Sequence, residues 1–413
     1  MNILKYKKIQ LESLFSIPLL ICFIINPLFG VLLFGIYIIG SDRSLNLIVK
    51  LSPYLIALFI GCVNATKVPE NDLVWYLSEY LRAGNMSFSE YIASFGTFNN
   101  TVGILASGKE AAFAVFNYIS YQFFGDNTKL YVLFYSFVAY SFLNVSIYKF
   151  GKALKIPNKY IITSIFIMAF TPYIFTMSAI LLRQFLAAAI LMYVLVNRLL
   201  YEKKSYVLLI VMFMVHSSAF LFVPFIFVPF FNKSLLHKNT FLYYLIILIV
   251  LFNIQNIAKV LLPIFENIST IKYILTRASE DTTFDLGQLS LAKRITSILT
   301  AVLPLILIYI LKPRLKKETG IIHFFNVLLM LVIFIFANLH QSELSNRFNF
   351  YVWQFFPFVF LLYIWYFKLN RLILLLLMIF IVLFFIYYLS AGMWTYTVGF
   401  GVYYYSLIHY FII

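Results

Sequence analysis

The segment SAILLRQFLAAAIL, Ser178 to Leu191, is apolar except for Arg183 and Gln184. A guanidinium at the centre of a bilayer-spanning helix costs about 2.5–3.5 kcal/mol on insertion scales. Arg183 therefore stands at a membrane border or meets an anion that offsets the cost. Arg294, after GQLSLAK, and Arg347, after HQSELSN, have the same setting, each just ahead of an apolar run. Helix N-termini carry a partial positive charge and attract anions, so cations are expected at the opposite end. Three arginines against that trend point to an external anion, and the planar guanidinium fork suits a phosphate group. Border arginines also snorkel to lipid headgroups or pair with nearby acids such as Glu343. The threefold recurrence favours a ligand.

Candidates for proton transfer are fewer. His216 lies in an apolar stretch, where a lone histidine is most often a hydrogen-bonded packing residue, and His340 shares a short loop with Glu343 and Arg347. Asp72 opens an amphipathic stretch with Tyr76 one turn on, and Glu110 stands ahead of Phe113 and Phe116. Acids at helix starts are ordinary caps and dipole partners; carboxylates among aromatic rings also suit a carbohydrate. The sequence has no phosphate-cradling glycine loop, no cysteine pair at metal spacing and no histidine pair at i, i+4 in a helix. Cys22 and Cys62 lie in apolar runs, which argues against a disulfide framework. No cofactor is expected, and no metal; Glu280, Asp281 and Asp285 form the acidic cluster that bears on that expectation.

Membrane helices must position these residues. The 413-residue chain is 63% hydrophobic and only 11% charged, about half the charge of a soluble domain. Apolar runs at about 130–148, 160–178, 183–200, 240–262, 320–339 and 372–389 approach the roughly 20 residues that cross a hydrocarbon core. The chain reads as an all-α polytopic integral membrane protein of about 12–14 transmembrane helices, one transmembrane domain over residues 1–413. No cleavable signal peptide and no internal repeat is expected.

The net charge of +16 would suit a nucleic acid, but its distribution excludes that partner. With the N-terminus in the cytoplasm, the cytoplasmic segments are 1–12, 41–50, 149–159, 198–204, 232–239, 312–318 and 368–371. They hold 20 of the 31 basic and four of the 15 acidic residues. All the net charge thus falls on one side, the signature of positive-inside topology. An outer-face region spans 65–129 and a second outer loop 263–289. Within the first, NDLVWYLSEYLRAG predicts an amphipathic helix with Leu73, Tyr76, Tyr80 and Leu81 on one side. EAAFAVFNYISYQFFG predicts a short helix lying on the outer leaflet. Residues 205–231 have basic loops at both ends and are read as a bent element or hairpin, with His216 near its outer tip. Arg183, Arg294 and Arg347 then all fall at the outer ends of inward-running helices.

The order of NDLVWY, KEAAFAVF, LLRQFLAAAI, MVHSSAF and SNRFNFY across about residues 60–360 resembles the EpsG-type family of bacterial exopolysaccharide and O-antigen polymerases, also called Wzy-like. The resemblance implies a multi-pass glycosyltransferase of GT-C-like architecture in the bacterial cytoplasmic (inner) membrane. It would join undecaprenyl-pyrophosphate-linked oligosaccharide repeat units on the outer, periplasmic face. Its implied partners are the lipid-linked donor and acceptor, membrane lipids and, where another protein sets chain length, that regulator. On this reading Arg183, Arg294 and Arg347, with Gln184, Tyr76 and His340, hold the substrate and the departing pyrophosphate. His216, Asp72 or Glu110 takes the acceptor proton. An O-antigen ligase or another lipid-linked sugar transferase would carry similar arginines. A flippase would instead line a central path with charge and show pseudo-symmetric halves.

Overall fold

In a bilayer every backbone polar group needs a partner within the protein, which helices and closed barrels supply. The described residues form helices and turns, with no strand among them. The computed structural model describes residues 16–41, 46–94, 111–222, 253–267, 302–304, 306–311, 319–337, 342–390 and 404–412, with isolated positions between 226 and 299. In chain order the helices are α1 (Ser16–Ile25), α2 (Pro27–Gly40), α3 (Asn46–Ala65), α4 (Asp72–Arg82), α5 (Phe88–Ser94), α6 (Ala111–Phe124), α7 (Thr128–Ala153) and α8 (Asn158–Ala169). They continue as α9 (Pro172–Ile180), α10 (Leu182–Tyr201), α11 (Tyr206–Val215), α12 (Ile254–Leu261), α13 (Thr319–Ala337), α14 (Ser342–Tyr366), α15 (Arg371–Ser390) and α16 (Leu407–Ile412).

Among the described residues, five helices are long and apolar enough to cross a membrane: Leu47–Ala65, Thr128–Ala153, Leu182–Tyr201, Arg347–Tyr366 and Arg371–Ser390. The α8–α9 pair, bent by 54°, makes a sixth if it is one broken span. The bend has a local cause. Pro172 sits at the first position of α9, where it has no N–H to give the preceding turn. The span expected at about 240–262 falls largely outside the described residues.

The chain divides into two compact units, Met1–Phe220 with Phe360–Ile413, and Leu221–Val359. In the first, α3 and α7 run antiparallel in close contact. Pro53 lies inside α3 and cannot donate to the carbonyl of Val49; the Ser52 hydroxyl donates to that carbonyl instead, at 3.0 Å. The Pro53 carbonyl accepts from Asn144 Nδ2 of α7 at 3.0 Å. At the other end of α3, Asn64 Nδ2 donates to Ser136 of α7 at 3.0 Å and to Ser178 of α9 at 3.2 Å. Small and polar residues let these helices approach. A Cβ added at Gly61 would stand 2.7 Å from the Leu133 carbonyl oxygen. Gly61→Val is therefore expected to cost about 1–3 kcal/mol of packing and to lower the membrane protein level. Gly40→Ala, with open space around it, should leave the level unchanged. Quantitative immunoblotting of membranes checks both.

Helix α10 runs parallel to α7. Tyr135 donates to the Leu182 carbonyl at 2.8 Å near their first turns, and Lys149 donates to Asn197 near their last. The Lys149 end also gathers Arg371, which donates to the Gly40 carbonyl at 3.2 Å. The opposite end carries α4, α5 and α6, packed on one another and on the start of α7. In the second unit, α13 and α14 interlock through rings: Phe324 meets Phe355 and Phe358, and Phe334 meets Phe348.

Candidate active site

The site forms where α10 begins. Leu182 and Arg183 are the first two residues of the helix, and its cap, Leu181, makes no side-chain capping bond. Tyr135 fixes this first turn from α7 through its bond to the Leu182 carbonyl. The half-buried Arg183 guanidinium then faces three rings. Its carbon lies 4.8 Å from the Trp75 ring centre, 5.3 Å from Tyr76 and 5.9 Å from Phe113. Its Nε donates to the Tyr76 hydroxyl at a long 3.4 Å. Each cation–π contact contributes about 0.5–2 kcal/mol, more as water is excluded. The rings thus hold a cation at the end of a membrane helix and fix its direction.

Helix α4 supplies two of the rings because its apolar residues fall on one stripe. Leu73, Tyr76, Leu77, Glu79 and Tyr80 are buried. This corrects one expectation: Leu81 is exposed. It falls one position past the stripe at 73, 76, 77 and 80, about 100° around the helix from Tyr80. The Tyr80 hydroxyl donates to the Gly125 carbonyl at 2.6 Å, and its ring stacks on Tyr131 at 4.1 Å. A buried chain locks the same helix to α5, α6 and α7. Tyr131 donates to Asn117 at 2.7 Å, and Tyr91 donates to the Glu79 carbonyl at 2.9 Å.

Glu79 and Arg82 had no place among the residues expected from the sequence. Glu79 is 1% exposed, and its carboxylate lies 3.0 Å from Arg82 Nη2. The same oxygen lacks a well-aligned hydrogen bond, so the contact is an ion pair. Burial pushes the Glu79 carboxyl above its ordinary value, against the pull of Arg82 and Arg183. Arg82 also donates to the Ser94 carbonyl at 3.0 Å and lies over the Tyr91 ring.

The other expected residues are placed as follows. Asp72 is the exposed first residue of α4, entered through Asn71 at a positive φ of 51°, which asparagine adopts more often than most residues. Tyr76 lies one turn along the same helix. Gln184 is buried beside Arg183 in sequence. His216 ends α11 with extended backbone, φ −154°, ψ 119°, and its carbonyl accepts from Ala219. A short turn over Ser217–Phe222 follows, so the α-helix breaks at His216. The return half of that element lies largely outside the described residues. Arg347 belongs to the second unit and is exposed. It does not open its helix: α14 starts five residues earlier, at Ser342, and Arg347 marks where the apolar span begins. Arg294, Glu110 and His340 lie outside the described residues. Among the described residues no group of three His, Cys, Asp or Glu could hold a metal ion.

No curated protein and no solved structure matches the chain significantly. The sequence model of the EpsG family matches residues 50–407, a stretch that takes in α4, α6, α10 and α11 and every candidate site residue. The chain belongs to the EpsG family, a membership that supports a role of the polysaccharide-polymerase type.

Proposed function

We propose that this protein polymerises oligosaccharide repeat units carried on undecaprenyl pyrophosphate, at the outer face of a bacterial cytoplasmic membrane, within a GT-C-like scaffold. Arg183 carries the proposal. It is a guanidinium gripped by Trp75, Tyr76 and Phe113 at the start of a membrane helix, where a lipid-linked diphosphate would lie. In the reaction, a hydroxyl of the acceptor sugar attacks the anomeric carbon of the donor. The bond from that carbon to the diphosphate oxygen breaks, and the diphosphate leaves with the electron pair. The acceptor proton passes to a base. Arg183 stabilises the charge that builds on the leaving oxygen, by a fixed cation in a site partly closed to water. Asp72, one turn from Tyr76 on α4, and His216, at the end of a helix packed on α10 and α6, are the described candidates for the base; Glu110 is the third. Arg294, Arg347, Gln184 and His340 complete the proposed binding set.

Incubating purified protein with lipid-linked repeat units tests this. A ladder of products, each one repeat longer than the last, is expected. A single transfer to a different acceptor would instead mark a ligase. Movement of the lipid across the bilayer without a new bond would mark a transporter, and either result overturns the proposal.

The proposed orientation makes a further prediction. In a variant lacking Cys22 and Cys62, Lys129→Cys, at the exposed start of α7, should react with an impermeant maleimide in intact cells. Lys204→Cys, exposed after the end of α10, should react only after permeabilisation. The reverse pattern would turn Arg183 to the cytoplasm.

A further inference from the structure

A cavity of about 280 Å³ lies at the same end of the first unit. It is lined by Thr66 and Lys67 just past the end of α3, Thr128 and Lys129 at the start of α7, and Tyr405 ahead of α16. Leu73 and Leu77 of α4 close one side. Two lysines and, among the described residues, no acid line it. Lys67 is 6% exposed. Its Nζ donates to the Phe175 carbonyl at 2.7 Å and lies 3.6 Å from the Phe175 ring centre. Burial holds its pKa well below the usual lysine value. The volume suits a headgroup rather than a whole oligosaccharide.

We propose that this cavity binds the diphosphate of the second lipid-linked substrate. The proposal rests on the polymerase reading, which brings two lipid diphosphates to one membrane face. Their like charges repel, so each needs its own cations. Helix α4 contributes residues to both places. Its Leu73–Leu77 side lines the Lys67 cavity, while Trp75 and Tyr76 hold Arg183. Lys67 lies two residues beyond the span Leu47–Ala65. The leucines and Val132 offer an apolar wall to the first isoprene units.

The test uses the full-length protein in detergent, with geranylgeranyl diphosphate as probe and inorganic pyrophosphate as the arm without a lipid chain. Calorimetry should count two equivalents of the prenyl diphosphate on the wild type. Lys67→Met should leave one, and Lys129→Ala should weaken the second equivalent about tenfold. Unchanged stoichiometry and affinity in both variants would overturn the proposal. If Lys67→Met does not fold, Lys129→Ala decides, because its side chain is exposed. Full displacement of the second equivalent by phosphatidylglycerol would also overturn it, as the cavity would then be a general headgroup site. Equal binding of pyrophosphate at the cavity would overturn the lipid-linked assignment in favour of free phosphate. Arg183→Ala should remove the other equivalent. If it alone is silent, the reading at Arg183 fails while the Lys67 cavity stands.

Discussion

Arg183→Ala is expected to abolish long polymer in cells while the protein stays in the membrane at its normal level. Losing one positioned donor to a leaving anion costs about 2–4 kcal/mol of transition-state stabilisation, or about a hundredfold or more in rate. The fold should survive. Arg183 is a half-buried residue in the first turn of α10, and the helix behind it packs through the buried Ala187, Ala188 and Ala189. Arg183→Lys keeps the charge and loses the planar fork, so it should fall short of wild-type activity. The measurement is polymer length beside membrane protein level for the wild type and both variants. Normal polymer from Arg183→Ala at a normal level would reduce Arg183 to a border residue snorkelling among rings.

The second large effect is on stability. Arg82→Ala is expected to deplete the protein from the membrane, because it strands the buried Glu79 carboxylate. Breaking a buried ion pair by removing one partner costs about 3–5 kcal/mol, and Arg82 is also the donor that ties α4 to the Ser94 carbonyl. The double variant Glu79→Gln with Arg82→Met should recover most of the level, since it removes both charges together. Glu79→Gln alone should fold. Burial raises the Glu79 pKa above its ordinary 4.5, so Glu79 takes up a proton more readily in the folded protein than in the unfolded chain. That contribution is fully present below the ordinary value and is lost as pH rises through the raised one. Acidification from neutral pH should therefore strengthen the fold at this residue, and Glu79→Gln should flatten that part of the profile. Thermal unfolding in detergent between pH 7 and 5 reads it. A normal level of Arg82→Ala would contradict the ion pair's role.

Much of the helical frame was legible because a membrane span has one dominant signal. The apolar runs expected at about 130–148, 183–200 and 372–389 correspond to α7, α10 and α15. Arg183 stood out for the same reason, as a costly charge in an apolar segment. The site around it was less legible. Phe113 reaches Arg183 from a helix 70 positions away, and nothing local marks such a pairing. Glu79 sits between Ser78 and Tyr80, with Arg82 three residues on, a pattern that reads as a solvated helix face. It is buried because α5 brings Tyr91 and Ser94 against α4, a contact beyond helical periodicity. Leu81 was misassigned by the complementary error, since hydrophobicity alone does not choose a face. The early start of α14 has a similar origin: SELSN is polar, so the apolar signal begins only at Arg347.

The most direct measurement counts leaving groups. Purified protein, reconstituted with lipid-linked repeat units, should release one undecaprenyl pyrophosphate for every new glycosidic bond. The rate of release should fall at least about a hundredfold in Arg183→Ala. Bond formation without stoichiometric release, or release at the wild-type rate from Arg183→Ala, would contradict the assignment of Arg183 as the cation that holds the departing diphosphate.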